Sequence, residues 1–559
     1  MAEESPRLLR LQAAVVLAVA LAAHLALAPG VADADSFYHL GHAAQYAANG
    51  PFDTSFPWAT ASVIGDLGGD LWWGFHVLLI PFAAFHDVAD GARAAGFLFT
   101  LALAGSAWWV LGRHGIPGAG WWAALFLVAV PNVLFRYVMV RPHVLSLALA
   151  LLLLSFLVRG RWWQVLVASA LITWLHVSLF WLAPGIAVAY ALTRATERQA
   201  AHRIEDAPSD SSAVRAHAGG DPSVPVLAAL GAVAAGTVLG AMLRPHPAAT
   251  AELAWVQIVR LFAEKAADRP LIFATELLPL PLPELLQSAW SFLLVWLAAG
   301  LVASWWRAKP PATDGPSPGL PERRLMAAST LVAIAFLFLT VLSARRALME
   351  FTAFGFLMLP LSWTYLIPAA ARRGAVPVLA ILLVGHLAWG AQRHLLNARL
   401  VALPPDAMAE VAGWLADRAE PGDTVFHAHW DNFGPLFARN RVSRYLGGMD
   451  PIFQYAHDPR LYWEHFFLSG DLVVEYTCDA FPCYDGTATS TWEAIRRHFG
   501  ARWVVVEPAR NPKLTRHLLG DPGFELVLET RHEAIFMVRD SAGPTPQPPE
   551  PVASPAGPV

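Results

Sequence analysis

Apolar runs, separated by short charged or Gly- and Pro-containing breaks, fill the first four hundred positions of the chain. Eleven of them read as membrane spans: residues 11–28, 91–111, 119–135, 143–158, 162–175, 178–192, 224–243, 288–306, 325–343, 351–368 and 375–391. A helix needs roughly 20 apolar residues to cross a hydrocarbon core about 30 Å thick. A further stretch, LWWGFHVLLIPFAAFH from Leu71, is short and carries His76 and Pro81. It reads either as a span or as a helix lying in the interface. The first run is longer than the apolar core of a signal peptide and is followed by many others, so it reads as an uncleaved helix.

From Pro404 the pattern changes. DAMAEVAGWLADRAEPGDTVFHA predicts an amphipathic helix, a turn and a short strand. TSTWEAIRRHFGARWVVVE repeats the helix-then-strand order, and FELVLETRHEAIFMVR predicts two strands joined by a turn. Helices alternating with apolar strands point to a compact α/β domain over 404–540, after a membrane domain over 1–400. The tail 541–559 is Pro-rich and too polar to bury a core, which predicts disorder. Two connectors, 193–223 and 307–324, are rich in Pro, Ser, Asp and Gly and predict flexible loops.

Composition agrees with this outline. The 559 residues are 56% hydrophobic and 15% charged, against about a quarter charged in soluble domains. The fold class is a polytopic α-helical membrane protein with about 11 spans and a C-terminal extracytoplasmic α/β domain. A net charge of −4 gives no sign of a nucleic-acid partner.

The positions of Lys and Arg orient the spans, because short cytoplasmic loops carry an excess of both. If the Leu71 stretch does not cross, one side receives Arg7, Arg10, Arg113, Arg159, Arg161, Arg194, Arg198, Arg323, Arg324, Arg372 and Arg373. That side is cytoplasmic and includes the N-terminus. The C-terminal domain is then extracytoplasmic, and the protein sits in the inner or plasma membrane. Cys478 and Cys483 fall in that domain; five residues apart, they do not make a four-ligand zinc site. A local disulfide is expected in an oxidising compartment, with two free thiols as the alternative.

Three polar constellations share the outer face in this arrangement. The first is VADADSFYHL, with Asp33 and Asp35 beside Tyr38 and His39. Its aspartates could simply cap a helix. Yet residues 29–90 contain no Lys or Arg to neutralise them. Unpaired carboxylates at a membrane boundary are costly, so a cation from elsewhere, a metal or a proton-transfer task is implied. The second is RYVMVRPH, with Arg136, Arg141 and His143; the third is SARRALMEF, with Arg345, Arg346 and Glu350. Arginine can snorkel at an interface, and Arg346 and Glu350 can pair along a helix. Arginine can also clamp a phosphate through paired hydrogen bonds. His176, at a break between two apolar segments, faces the same side. One acid pair and two arginine clusters on one face point to a lipid-phosphate site.

These features together resemble the GT-C superfamily of membrane glycosyltransferases. DSFYHLG is similar to the first-loop segment of oligosaccharyltransferase catalytic subunits and places the family aspartate at Asp35. Protein mannosyltransferases and lipid A aminoarabinose transferases carry adjacent acids there, which adds Asp33. HWDNFG, with Trp430 and Asp431, resembles the oligosaccharyltransferase tryptophan–aspartate motif with one of its tryptophans missing. That family uses a second acidic motif in the next outer loop to help hold a divalent cation. The corresponding loop here has no acid, and Arg141 and His143 stand in its place. The likeness in chemistry is therefore to members that work without Mg²⁺ or Mn²⁺, where basic residues neutralise the leaving phosphate.

The resemblance implies transfer of a sugar from a polyprenyl-phosphate donor to a glycan, lipid or protein acceptor, with Asp35 or Asp33 as base and inversion at the sugar. His39, Arg141, His143, His176, Arg345, Arg346, Glu350, Trp430 and Asp431 are the candidate substrate contacts. A non-catalytic scaffold in envelope assembly, or a flippase for lipid-linked sugars, are the alternatives. A flippase calls for related halves, and no internal repeat is evident.

Overall fold

The computed structural model describes residues 4–205, 224–308, 317–472 and 474–541. The Pro-rich tail beyond 541 lies outside the described residues.

All eleven apolar runs lie in helices. Seven are long and apolar enough to cross alone: Pro6–Leu25, Val88–Arg113, Val177–Gln199, Leu282–Trp305, Leu320–Leu342, Arg345–Tyr365 and Ala369–Val401. Two more are bent pairs, Ala119–Leu127 with Pro131–Tyr137 at 95° and Val226–Met242 with Pro247–Ala266 at 109°. Each second limb begins with proline at its first turn, where the missing N–H costs no helical bond and the ring blocks continuation of the previous helix. Pro142–Val158 and Trp162–Leu175 are shorter apolar helices. The chain is an integral membrane protein.

The Leu71 stretch forms the helix Trp73–Ala83, 11 residues long. At 1.5 Å per residue it covers about half of a hydrocarbon core. Its Trp73, Phe75, His76 and Leu79 are buried; Phe75 and His76 pack on His39 of the helix Ala34–Asn49, and Trp73 packs on Trp174. The expected flexible connectors are largely helical where they are described, with one helix running on to Glu205 and another starting at Leu320 after a short coil at 317–319. Their charged ends hold each other: Arg324 pairs with Glu197 at 2.9 Å.

Among the described residues, the C-terminal region has seven strands: β1 (Thr424–His427), β2 (Arg444–Tyr445), β3 (Tyr476–Cys478), β4 (Ala488–Ser490), β5 (Ala501–Val506), β6 (Phe524–Glu529) and β7 (Ala534–Val538). Five of them form a mixed sheet in the order β2-β1-β5-β7-β6. The first three are parallel, and the β6–β7 hairpin adds antiparallel strands at one end. The apolar β5 is central and almost wholly buried, as expected for a strand covered on both faces. β3 and β4 make a separate hairpin, beside which Cys478 and Cys483 are joined by a disulfide.

The sheet is continued by the first loop of the membrane domain. Thr60 and Ala61 donate backbone N–H to the carbonyls of Tyr445 and Leu446 at 2.8 and 2.7 Å, and Tyr445 donates to the Trp58 carbonyl at 2.8 Å. Alongside, the helix Phe433–Arg439 lies on Ala34–Asn49. A Cβ at Gly434 would sit 2.4 Å from the Ala34 carbonyl, and one at Gly41 2.9 Å from the Ala438 Cα. These glycines permit the backbones to approach, and Phe433 and Phe437 fill the flanks against Tyr38 and Phe56.

Candidate active site

Asp33 takes the N-cap of Ala34–Asn49 with extended backbone, φ −159°. Its carboxylate accepts from the Ser36 amide at 3.3 Å and from the Ser36 hydroxyl. Capping is therefore real, as such a sequence permits, and it occupies one oxygen of Asp33. Asp35 stands one residue into the first turn, where the helix dipole favours a negative charge.

Their counter-ion comes from the next outer loop. Arg141 sits at the N-cap of Pro142–Val158, and its guanidinium spans three carboxylates. Nε donates to Asp33, Nη2 reaches Asp35 Oδ2 at 2.8 Å, and Nη1 reaches Glu276 Oε1 at 3.2 Å. The other oxygen of Glu276 accepts from Arg136 Nη1 at 2.8 Å. The Asp35 side chain is 13% exposed. The space between the acids is thus filled by a guanidinium, and these carboxylates as arranged do not form a cradle for a divalent cation.

Burial pushes the Asp35 carboxyl up to about 7. Arg141 pulls against the rise, while Asp33, Glu276 and Asp450 add to it. Burial also favours the neutral form of Glu276, but Arg141, Arg136 and Arg346 outweigh it and hold that carboxyl well below its usual range. Opposite environments have separated the two acids: Glu276 is a fixed anion and Asp35 can exchange a proton near neutrality.

The C-terminal region contributes Asp450, just after the GG turn that follows β2. It is 8% exposed, and among the described residues its Oδ1 has no hydrogen-bond partner. Burial pushes its carboxyl up to about 7; the Ile452 amide, Arg346 and Lys265 oppose that rise, and Glu276 reinforces it.

A cavity of about 350 Å³ adjoins this cluster, lined by Arg136, Glu276, Glu284, Arg345, Arg346 and Arg393 among others. Glu276 belongs to both, bound to Arg141 and also facing the cavity. Arg345 is tethered to Glu284 at 3.5 Å and to the Pro279 carbonyl at 3.3 Å. Arg346 is held by no such bond among the described residues and acts electrostatically on Glu276, Glu350, Asp450 and His176. His143 lies within the fields of Arg136, Arg141 and His176, and Glu350 buries an oxygen with no hydrogen-bond partner among the described residues.

Of the residues expected from sequence, Asp33, Asp35 and Arg141 are in direct contact. His143 and His176 lie within the field of Arg141, Arg346 and Glu350 interact with Glu276, and Arg345 and Arg346 lie along the cavity wall. His39 points the other way, its Nδ1 2.8 Å from His76 Nε2. Trp430 and Asp431 follow β1 in the sheet domain; Asp431 pairs with Arg510 at 3.3 Å, and among the described residues no ion pair joins it to Arg141. Glu276 and Asp450 have no local signature, each being a single acid in a loop far along the chain. Also unforeseen is a buried network in which Asp70 meets His42, Tyr46 and His76.

No family model and no curated protein matches the chain. Solved structures do. ArnT from Cupriavidus metallidurans in its apo state aligns over 96% of this chain and 99% of its own, at 13% identity and a TM-score of 0.53. The chain has a GT-C-like fold. The same ArnT bound to undecaprenyl phosphate aligns over 97% of this chain and 100% of its own, at 14% identity and a TM-score of 0.52. At such identity the likeness extends to the fold, from the first helix through the C-terminal sheet, and residue roles rest on the geometry above.

Proposed function

We propose that this protein is a membrane glycosyltransferase that moves a sugar from a polyprenyl-phosphate donor to an acceptor hydroxyl at the extracytoplasmic face. The observation that carries the reading is Asp35. It is a buried carboxyl with a raised proton affinity, held in place by Arg141 and set close to an arginine-lined cavity. The undecaprenyl phosphate bound by ArnT supports the donor class, and the disulfide of the C-terminal domain supports an oxidising compartment.

In this reading the acceptor oxygen attacks the anomeric carbon and gives its proton to Asp35. The bond from that carbon to the phosphate oxygen breaks, and the polyprenyl phosphate departs as an anion. A single displacement inverts the sugar. Arg141 has all three nitrogens engaged by carboxylates, so it orients the base. The charge on the leaving phosphate falls to Arg345 and Arg346, whose fixed positive field is stronger in a site shielded from water. Asp33 caps the helix and holds Arg141 in register.

Asp35→Asn keeps the shape of the side chain and removes the base. The expected result is a loss of sugar transfer of at least about a hundredfold with normal membrane insertion, measured by mass spectrometry of envelope glycolipids and glycans in a complemented deletion strain. An unchanged glycan profile in both the Asp35→Asn and Asp33→Asn strains would favour the scaffold instead.

A further inference from the structure

His42 and Tyr46 lie on the same helix as Asp35, about two and three turns further along, and meet Asp70 of the first loop and His76 of the helix Trp73–Ala83 in a network that the proposed reaction does not use. Asp70 Oδ2 is its hub. His76 Nδ1 and the Tyr46 hydroxyl each stand 2.7 Å from that oxygen, and His42 Nε2 stands 3.8 Å away. His42, Asp70 and His76 are 2%, 3% and 0% exposed, and their donor atoms all lie within 4.8 Å of one another. In a tetrahedral zinc site with bonds of about 2.0–2.1 Å, neighbouring ligand atoms are roughly 3.3 Å apart. The 2.7 and 3.8 Å separations bracket that value.

The atoms that face away from this centre are also tied down. His76 Nε2 is 2.8 Å from His39 Nδ1, and His42 Nδ1 is 3.2 Å from the Tyr38 hydroxyl. Asp70 Oδ1 accepts from the Trp72 amide at 2.9 Å. Each candidate ligand therefore has a partner on its far side, the arrangement that fixes ring orientation and tautomer in metal sites. The loop itself is anchored by Arg244, which donates to the carbonyls of Asp70, Leu71, Thr173 and Trp174.

We propose that His42, Asp70 and His76 bind a structural Zn²⁺, with the Tyr46 hydroxyl as the fourth donor. The ion would take the Nδ1 lone pair of His76 in its Nε2–H tautomer; that Nε2–H then donates to His39 Nδ1, whose own ring proton shifts from Nδ1 to Nε2. No net proton leaves the imidazole pair. The ion would join the helix Ala34–Asn49 to the first loop, at a place separate from the carboxylates that hold Arg141.

The test uses the full chain in lipid nanodiscs and needs no transfer assay. Elemental analysis of protein purified without chelator is expected to give about one zinc per chain. Chelator-stripped protein titrated with Co²⁺ alone is expected to develop the visible absorption of tetrahedral cobalt. Both signals should be lost in His42→Ala and Asp70→Asn and kept in Asp35→Asn, so that the metal and the sugar-transfer reading fail separately. Wild-type protein with neither zinc nor a cobalt band overturns the proposal, and so does a His42→Ala protein that keeps both. If Asp70→Asn does not fold, the wild-type titration and His42→Ala still decide.

Discussion

Asp35 owes its chemistry to where its neighbours place it. A carboxyl lifted to about 7 is protonated below neutrality and cannot take the acceptor's proton; above neutrality it is ionised and can. The sign of the pH dependence follows. The transfer rate at saturating donor should fall about tenfold per pH unit below 7 and level off above it, as followed in proteoliposomes between pH 5 and 9. A rate that is flat across that range would remove Asp35 from the proton transfer. At this scale the sequence was partly legible. Asp33 and Asp35 stand out because the surrounding loop has no cation, and Arg141 because it falls in an acid-free loop on the same face. Glu276 shares that guanidinium from 135 positions away, and nothing local distinguishes it from any other loop acid. Asp450 is hidden for the same reason, since its burial is created by the docking of two distant segments.

The helix Ala34–Asn49 is the element on which the site depends. Its N-terminus presents both aspartates, its middle receives Phe433–Arg439, and its last turns carry His42 and Tyr46. The contact at Gly434 is backbone against backbone, so a larger residue cannot be accommodated by a rotamer change. Gly434→Val should cost roughly 1–3 kcal/mol through overpacking and lower the thermal midpoint of the detergent-solubilised protein. Gly413→Ala, in a helix where the added Cβ meets nothing within 4 Å, should leave it unchanged or slightly raised. Equal losses in the two variants would mean that helix docking is not what Gly434 serves. Apolar periodicity locates such helices well. It does not reveal which glycine is a contact point, because that depends on the partner surface, and it could not place Thr193–Glu205 in a helix, because the ion pair that steadies its end joins residues 127 positions apart.

For the whole molecule, hydropathy was enough to locate the seven helices that are long and apolar enough to cross alone, since the bilayer imposes a length that folding within one chain cannot alter; Pro142–Val158 and Trp162–Leu175, read as spans from sequence, fall short of that length. The two bent pairs were not evident, because a proline at a limb's first turn reads the same in a straight span's approach as in a sharp corner. The charge distribution predicts that the sheet domain is extracytoplasmic. Alkaline phosphatase fused after Ser541 should then be active, while a fusion after Arg113 should be inactive; the reverse pair would invert the assigned orientation.

The continuation of the sheet by residues 58–61 has a practical consequence for protein engineering. The natural unit of exchange is not the chain after Pro404. Cut there, the C-terminal domain keeps an unpaired β2 edge and the membrane domain keeps a loop with nothing to pair with, two surfaces prone to promiscuous association. A hybrid assembled from two such proteins would have to inherit both sides of that seam from the same parent.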